Sequence, residues 1–390
     1  MPGAHSHKVA TRPDKASRRR NGWLVAITLA GVAVAAVAAT AVVVHDNRSR
    51  AAASPTSVAA REVGVATRAA PFSVTSVSPA NGATQVPSDA TISVQFSVPL
   101  SAHSVTPTLS PAVAGTWEVV TPDTYQFVAS APLVPLSTET VTVPAGATSA
   151  TGKSLSRPVT TEFTVATGST LRLQQLLAQV GYLPVSFTPA AAVVAPQEAA
   201  QPQQGTFAWR FAEPASLTTL WSAGAPNVIT TGAVMNFESR HNLKTDGIAG
   251  PLVWSQLLAA AQTGAMDPAP YDYVYVSKDL PETATVYDNG VEVYSTLANT
   301  GVPAAATADG TFPVYARYLT TTMTGTNPDG SHYSDPGIPW VSYFNGGDAL
   351  HGYVRASYGF PQSDGCVEMP PAHAEVVFPY TPIGTLVTVS

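Results

Sequence analysis

With 390 residues the chain has room for two to four domains, and 11% charged residues beside 34 prolines and 28 glycines favour short strands, turns and linkers. The net charge of -6 is unevenly spread: residues 1–50 hold eight Lys/Arg against two Asp/Glu, leaving eleven against twenty-three in the rest. So acidic a body excludes nucleic acid as a partner, because phosphate neutralisation needs a basic face, and it offers nothing to anionic lipid.

Trp23 to Val44 is a run of 22 residues without a charged side chain. As a helix it would measure about 33 Å, enough for a hydrocarbon core of about 30 Å. Lys8, Arg12, Lys15, Arg18, Arg19 and Arg20 precede it. Residues 1–22 are therefore read as a cytoplasmic tail and 23–44 as a single-pass membrane anchor, with the remainder outside the cytoplasm. The alternative is a signal peptide cut near Ala36-Val37-Ala38, giving a secreted protein, although the apolar run exceeds the usual signal core of about 7 to 15 residues. Residues 45–70, rich in Ala, Ser and Arg without an apolar period, read as a linker.

From Phe72 the pattern changes to short alternating runs: Ile92–Phe96, Tyr125–Val128, Val141–Val143 and Glu162–Val165, with turn signals at Asn81-Gly82, Pro122-Asp123 and Thr151-Gly152. This spacing predicts an all-β sandwich over 71–167. The segment Val77-Ser78-Pro79-Ala80-Asn81-Gly82-Ala83-Thr84 resembles the opening of bacterial immunoglobulin-like modules, which implies a spacer. His103 and Trp117 are read as surface or packing residues.

At Leu171 the period becomes helical, with Leu173, Leu176, Leu177 and Val180 on one face and Gly181 as a stop. Further helices are expected around Val234 and Phe237, and from Pro251 through Trp254, Leu257, Leu258 and Ala261. Gly181-Tyr182-Leu183-Pro184 and Thr245-Asp246-Gly247-Ile248-Ala249-Gly250-Pro251 resemble the three-helix peptidoglycan-binding module. That assigns 168–265 to a small α-helical domain, interrupted by a Gln/Pro/Ala-rich insertion over 185–230. Phe207, Trp209, Phe211 and Trp221 in the insertion are either extra core or a sugar-stacking platform.

The last segment, 270–390, is again strand-like. Tyr271 to Val276 alternates, Asn289-Gly290 marks a hairpin, and strands are expected at Thr311–Tyr318 and Trp340–Phe344, with a helix within Pro370–Phe378. The chain's one cysteine, Cys366, lies in Ser363-Asp364-Gly365-Cys366, fifteen positions after His351-Gly352. A lone thiol on the outside of a cell has no disulfide partner within its own chain. Beside a glycine turn and within one domain of a histidine, it has the parts of a nucleophile and its base. One cysteine and scattered histidines do not make a metal site, and no cofactor is expected. The papain order, Cys early and His late, is reversed here.

Leu350-His351-Gly352 followed by Ser363-Asp364-Gly365-Cys366-Val367 resembles the signature of the L,D-transpeptidase (YkuD-like) catalytic domain over about Tyr271–Ser390. The resemblance implies a β-rich domain in which Cys366 is the nucleophile, His351 the base, Gly352 the carbonyl that orients the imidazole, and the backbone around Asp364, Gly365 and Cys366 the oxyanion hole. It implies peptidoglycan stem peptides and glycan as partners, carbapenems as inhibitors and a thioester intermediate. An amine acceptor would make this a transpeptidase and water an L,D-carboxypeptidase. Two departures stand out: Asp364 replaces the family's histidine, and Glu368 replaces its Arg or Asn. They leave open a catalytically degenerate wall-binding scaffold. Ser363, Glu368, Arg355, Tyr343 and Trp340 are the expected substrate-binding residues, Ser363 also shaping the turn by local hydrogen bonding. Asp364 and Glu368 are expected to point toward substrate or toward Arg355, and in the first case Glu368 meets a cationic or amidated part of the stem. Tyr333, Trp340 and Tyr343 either line the cleft or pack in the core. His332 and His373 are read as bystanders.

Overall fold

The computed structural model describes residues 71–192, 195–327 and 329–390. The expected anchor at 23–44 and the linker at 45–70 lie outside the described residues. Among the described residues no helix is long and apolar enough to cross a membrane. These described residues belong to one compact unit.

The first eight strands are β1 (Val74–Ser78), β2 (Ala83–Val86), β3 (Ile92–Phe96), β4 (Thr108–Ser110), β5 (Gly115–Thr121), β6 (Thr124–Ala129), β7 (Thr138–Val143) and β8 (Val159–Val165). They make two four-stranded sheets, ordered β1-β3-β6-β5 and β2-β8-β7-β4. Inward residues of the alternating runs, among them Ile92, Val94, Phe96, Phe127, Val141 and Phe163, meet between the sheets. Trp117 packs on Phe127 at 5.4 Å and His103 is exposed, as the sequence implied.

Helix α1 (Thr170–Gln179) starts at Ser169, whose hydroxyl accepts from the Arg172 N–H, and the chain turns away at Gly181 with φ +87°. After it come β9 (Val185–Pro189), β10 (Gly205–Trp209), the single turn α2 (Ala215–Thr218), α3 (Val228–Arg240) and α4 (Pro251–Thr263). Pro251 opens α4 and Gly264, left-handed at φ +68°, closes it. Within the insertion β9 and β10 pair in antiparallel register, Val185 opposite Trp209 and Phe187 opposite Phe207, with the phenyl rings 5.1 Å apart. The aromatic cross-strand pair holds the ribbon together across a long connection that carries no two-residue turn signal. Phe207, Trp209 and Trp221 pack against the helical core, which is the extra-core alternative.

The helical core is continuous with the last domain. Leu176, Leu177, Phe237, Trp254 and Leu257 share one cluster with Tyr273 and Leu386, so the helices are packed onto the back of that domain.

The last domain holds β11 (Asp272–Ser277), β12 (Thr283–Asp288), β13 (Val291–Leu297), β14 (Gly310–Pro313), β15 (Ala316–Thr326), β16 (His332–Asn345), β17 (Asp348–Gly352), β18 (Val367–Met369), α5 (Pro371–Val377) and β19 (Leu386–Val389). Asn289 and Gly290 both take positive φ, 49° and 75°, in the expected β12–β13 turn. One sheet runs β13-β12-β11-β19-β14 and the other β15-β16-β17-β18. Val274, Val276, Val286 and Val387 of the first face Phe344, Leu350, Val367 and Met369 of the second, with Ala374 and Val377 of α5 closing the layer. The expected strand Thr311–Tyr318 is divided: Thr311–Pro313 belongs to the first sheet, and from Ala316 the chain runs in the second. β15 and β16 form a hairpin far longer than the sequence indicated, because Pro336, Gly337 and Pro339 interrupt the alternation within β16.

Candidate active site

The site lies on the outer face of the second sheet, away from the five-stranded one. β17 and β18 are parallel neighbours, pairing Leu350 with Val367, His351 with Glu368 and Gly352 with Met369. Leu350, Val367 and Met369 point into the intersheet core. By the two-residue period of strands, Ala349, His351, Cys366 and Glu368 then share the opposite face. Ala349 and Cys366 indeed join a small outer cluster with Met323, Ile338, Val341, Tyr333, Tyr343 and Tyr353. Cys366 and His351 are thus diagonal neighbours on adjacent strands, close enough for side chains to meet.

His351 is 3% exposed, and its Nδ1 lies 3.1 Å from the carbonyl oxygen of Gly352. A carbonyl only accepts, so Nδ1 carries the proton and Nε2 is left with a lone pair. Burial pushes the imidazole below its ordinary range, which keeps it neutral. A Cβ at Gly352 would come within 2.9 Å of the Pro371 backbone and 3.1 Å of the Pro339 ring, so only glycine fits between β17 and α5.

The turn before Cys366 is held from both sides. Ser363 donates its amide to Thr300 O at 3.0 Å and its hydroxyl to the Cys366 carbonyl, and accepts the Gly365 amide at 3.2 Å. Gly365 takes φ +114°, with Asp348 Oδ1 only 2.8 Å from where a Cβ would stand. Among the described residues the amides of Asp364 and Cys366 make no hydrogen bond. The Cys366 thiol faces Gly347 O at 3.7 Å. Burial raises its pKa to about 12, opposed by the Ala349 amide and reinforced by Asp348, Glu368 and Asp364. In the resting protein this is a thiol, not a thiolate.

The expected substrate-binding residues have different surroundings. Ser363 is 1% exposed and fully engaged in building the turn. Glu368 takes the second of its two expected directions: 4% exposed, it accepts two hydrogen bonds from Arg355, Nε to Oε2 and Nη2 to Oε1, both 2.8 Å. Arg355 is therefore occupied as well, and its guanidinium lies over the Tyr353 ring at 4.6 Å. Trp340 stands on the other face of β16, against Phe378 at 5.6 Å, because even-numbered positions of this stretch point into the intersheet core. The Gly365 amide is spent on Ser363, which leaves Asp364 and Cys366 as donors. Tyr343 stands beside the sulfur: burial raises its phenol pKa and the neighbouring Cys366 raises it further.

Sequence reasoning offered Tyr333 as a cleft or core residue and missed Asp348 and Asp335. Tyr333 stands beside Cys366 and Asp364, and Asp335 acts on both Tyr333 and His351. Asp348 and Asp335 come from strands whose pairing brings them to the site, and no local motif marks them. His373 is held by Tyr294 and Thr296 hydroxyls at 3.0 and 2.8 Å, outside the outer cluster.

Residues 271–389 match the family model of the L,D-transpeptidase catalytic domain, YkuD. Residues 68–165 match that of a bacterial Ig-like domain. The chain therefore carries an L,D-transpeptidase catalytic domain behind an Ig-like one. Solved structures similar to it include L,D-transpeptidase 3 from Mycobacterium tuberculosis, at 15% identity over 81% of this chain and 98% of that one, TM-score 0.29. An L,D-transpeptidase from Mycobacterium smegmatis is 14% identical over 82% and 100%, TM-score 0.28. The catalytic domain of the E. faecium L,D-transpeptidase acylated by ertapenem is 25% identical over 32% and 100%, TM-score 0.29. No curated protein matches the chain.

Proposed function

We propose that the protein is a wall-side L,D-transpeptidase that cross-links peptidoglycan stems through a thioester on Cys366. The observation that carries this reading is the diagonal placement of Cys366 and His351 on one face of adjacent parallel strands. The thiol is protonated and the imidazole neutral, so proton transfer accompanies attack rather than preceding it. Sγ bonds to the carbonyl carbon of the stem's third residue as its proton passes to His351 Nε2. The oxyanion is received by the free amides of Asp364 and Cys366. Collapse breaks the peptide bond, and the terminal alanine leaves as an amine with the proton from His351. A side-chain amine of a second stem then attacks the thioester and returns the thiol, giving a 3→3 link. Water at that step would give a carboxypeptidase product instead.

In this reading the glycan strand and its stems are the partners, residues 23–44 hold the protein in the membrane, and 45–70 with the Ig-like domain set its reach. The helical module supports the back sheet and contributes to wall binding. Carbapenems inhibit by acylating the same sulfur. The test is intact-mass spectrometry of the full chain with a tetrapeptide donor and an amine acceptor. The wild type is expected to gain the mass of the acyl tripeptide and release a cross-linked product, and Cys366→Ala to gain nothing. A wild type that acquires no adduct from donor or carbapenem overturns the reading, and hydrolysed donor without dimer assigns the carboxypeptidase.

A further inference from the structure

Between the Ig-like sandwich and the helical module lies a cleft of about 540 Å³. Its walls are largely small and apolar, with Val113, Pro132 and Val134 on one side and Leu176, Pro189 and Leu258 on the other, and three glutamines and two serines as neutral polar members. Among the described residues, Arg172 is the only charged one lining it. This arginine is 3% exposed, yet no carboxylate of the described residues pairs with it. Its Nε donates to Ala199 O at 2.8 Å and Nη1 reaches Gln175 Oε1 at 3.4 Å. Nη2 makes no hydrogen bond among the described residues, and it is not one of their fully occluded unpartnered atoms, so it opens on the cleft.

A buried guanidinium without a counter-charge is costly to keep, and burial alone already lowers its pKa to about 10. Its Nε bond ties α1 to the turn at 196–200, and its Nη1 bond stays within α1. Nη2 is left as a charged donor for an anion, in a cavity within the usual size range of small-ligand sites. A wall with one cation and small aliphatic side chains suits one negative charge on a small apolar body. A phosphate or a polyanion would find no second cation among the described lining residues.

We propose that this cleft binds the carboxylate end of a short peptide with small side chains, Arg172 pairing with the carboxylate. Resting on the wall-enzyme reading above, the ligand class is the alanine-ended stem peptide. The cleft lies on the helical side of the catalytic sandwich and the thiol on the opposite face, so it holds polymer and takes no part in acyl transfer.

The test uses the full chain as Cys366→Ala, which cannot consume a donor, titrated by calorimetry with acetyl-D-alanyl-D-alanine and with its carboxamide. The free acid is expected to bind and the amide to bind roughly tenfold or more weakly. Arg172→Gln is expected to lose the difference between the two. Ser255→Trp, at an exposed lining position and independent of the buried guanidinium, is expected to abolish binding by filling the cleft. Carbapenem acylation at an intact Cys366 is expected to be unchanged in both variants, which separates this site from the catalytic one. Equal affinity for acid and amide, binding that survives Ser255→Trp, or no binding at all overturns the proposal, whatever the thiol does.

Discussion

Arg355 grips Glu368 through two 2.8 Å hydrogen bonds, directly across the strand pair from His351. The pair turns a carboxylate beside the imidazole into a neutral unit. Glu368 nevertheless favours a charged His351 while Arg355 opposes it, so the site depends on both staying together. Arg355→Ala would strand a nearly buried carboxylate. Because Arg355 is about a third exposed, the full penalty of a buried pair is discounted, and a loss of about 2 kcal/mol is expected in urea unfolding. An unchanged midpoint would mean that Glu368 is solvated and the pair decorative.

The thiol environment predicts an unusual pH profile. With its pKa raised to about 12, Cys366 should alkylate with iodoacetamide at a rate still climbing above pH 9, where an ordinary thiol levels off. Asp348 is the largest of the three carboxylate contributions. Asp348→Asn is expected to shift the climb to lower pH, read by mass spectrometry of timed samples. A plateau near pH 9 in the wild type would contradict the buried, acid-ringed thiol.

Two aromatics of β16 should behave oppositely. Tyr343 faces the sulfur, and Tyr343→Ala is expected to slow acylation by a carbapenem with modest effect on folding. Trp340 packs inside, and Trp340→Ala is expected to cost about 3 kcal/mol by leaving a cavity, with little change in acylation of the folded fraction. Stopped-flow acylation and unfolding measured on both variants separate the two roles.

Burial raises Glu213 to about 7, and both its carboxylate oxygens are occluded without a hydrogen bond among the described residues. Between the unfolded value near 4.5 and about 7 the folded state holds a proton that the unfolded chain has released, so this group's contribution to stability falls as pH rises. His351 acts at lower pH in the other sense, its depressed value costing stability as pH falls below about 6.5. Glu213→Gln isolates the first effect. The variant's stability relative to wild type should increase between pH 5 and pH 8, by on the order of 1 kcal/mol after allowance for partial solvation. A difference independent of pH would refute it.

Much of the architecture was legible in order along the chain. The alternation in Ile92–Phe96 and Glu162–Val165 led to a sandwich because period two buries one face of each strand. Leu176, Leu177 and Leu257 reached a helical core because period 3.6 does the same for helices. Asn289-Gly290 specified its turn through backbone preferences alone. The paired strands Val185–Pro189 and Gly205–Trp209 were not legible, since their contact spans a connection with no turn code, nor was the β15–β16 hairpin, whose prolines break the pattern.

The sequence by itself determined the chemistry available: one thiol, a histidine fifteen positions before it, and glycines where the chain must turn or pack too tightly for a side chain. Tertiary structure decided which groups that chemistry meets. The register of β17 on β18 put Glu368 in the grip of Arg355, and the pairing of β16 put Tyr343 at the sulfur and Trp340 in the core. Docking of the Ig-like domain on the helices left Arg172 facing a cleft. Such outcomes depend on contacts between residues far apart in the chain, and those contacts follow from how whole faces are buried rather than from any local run of residues.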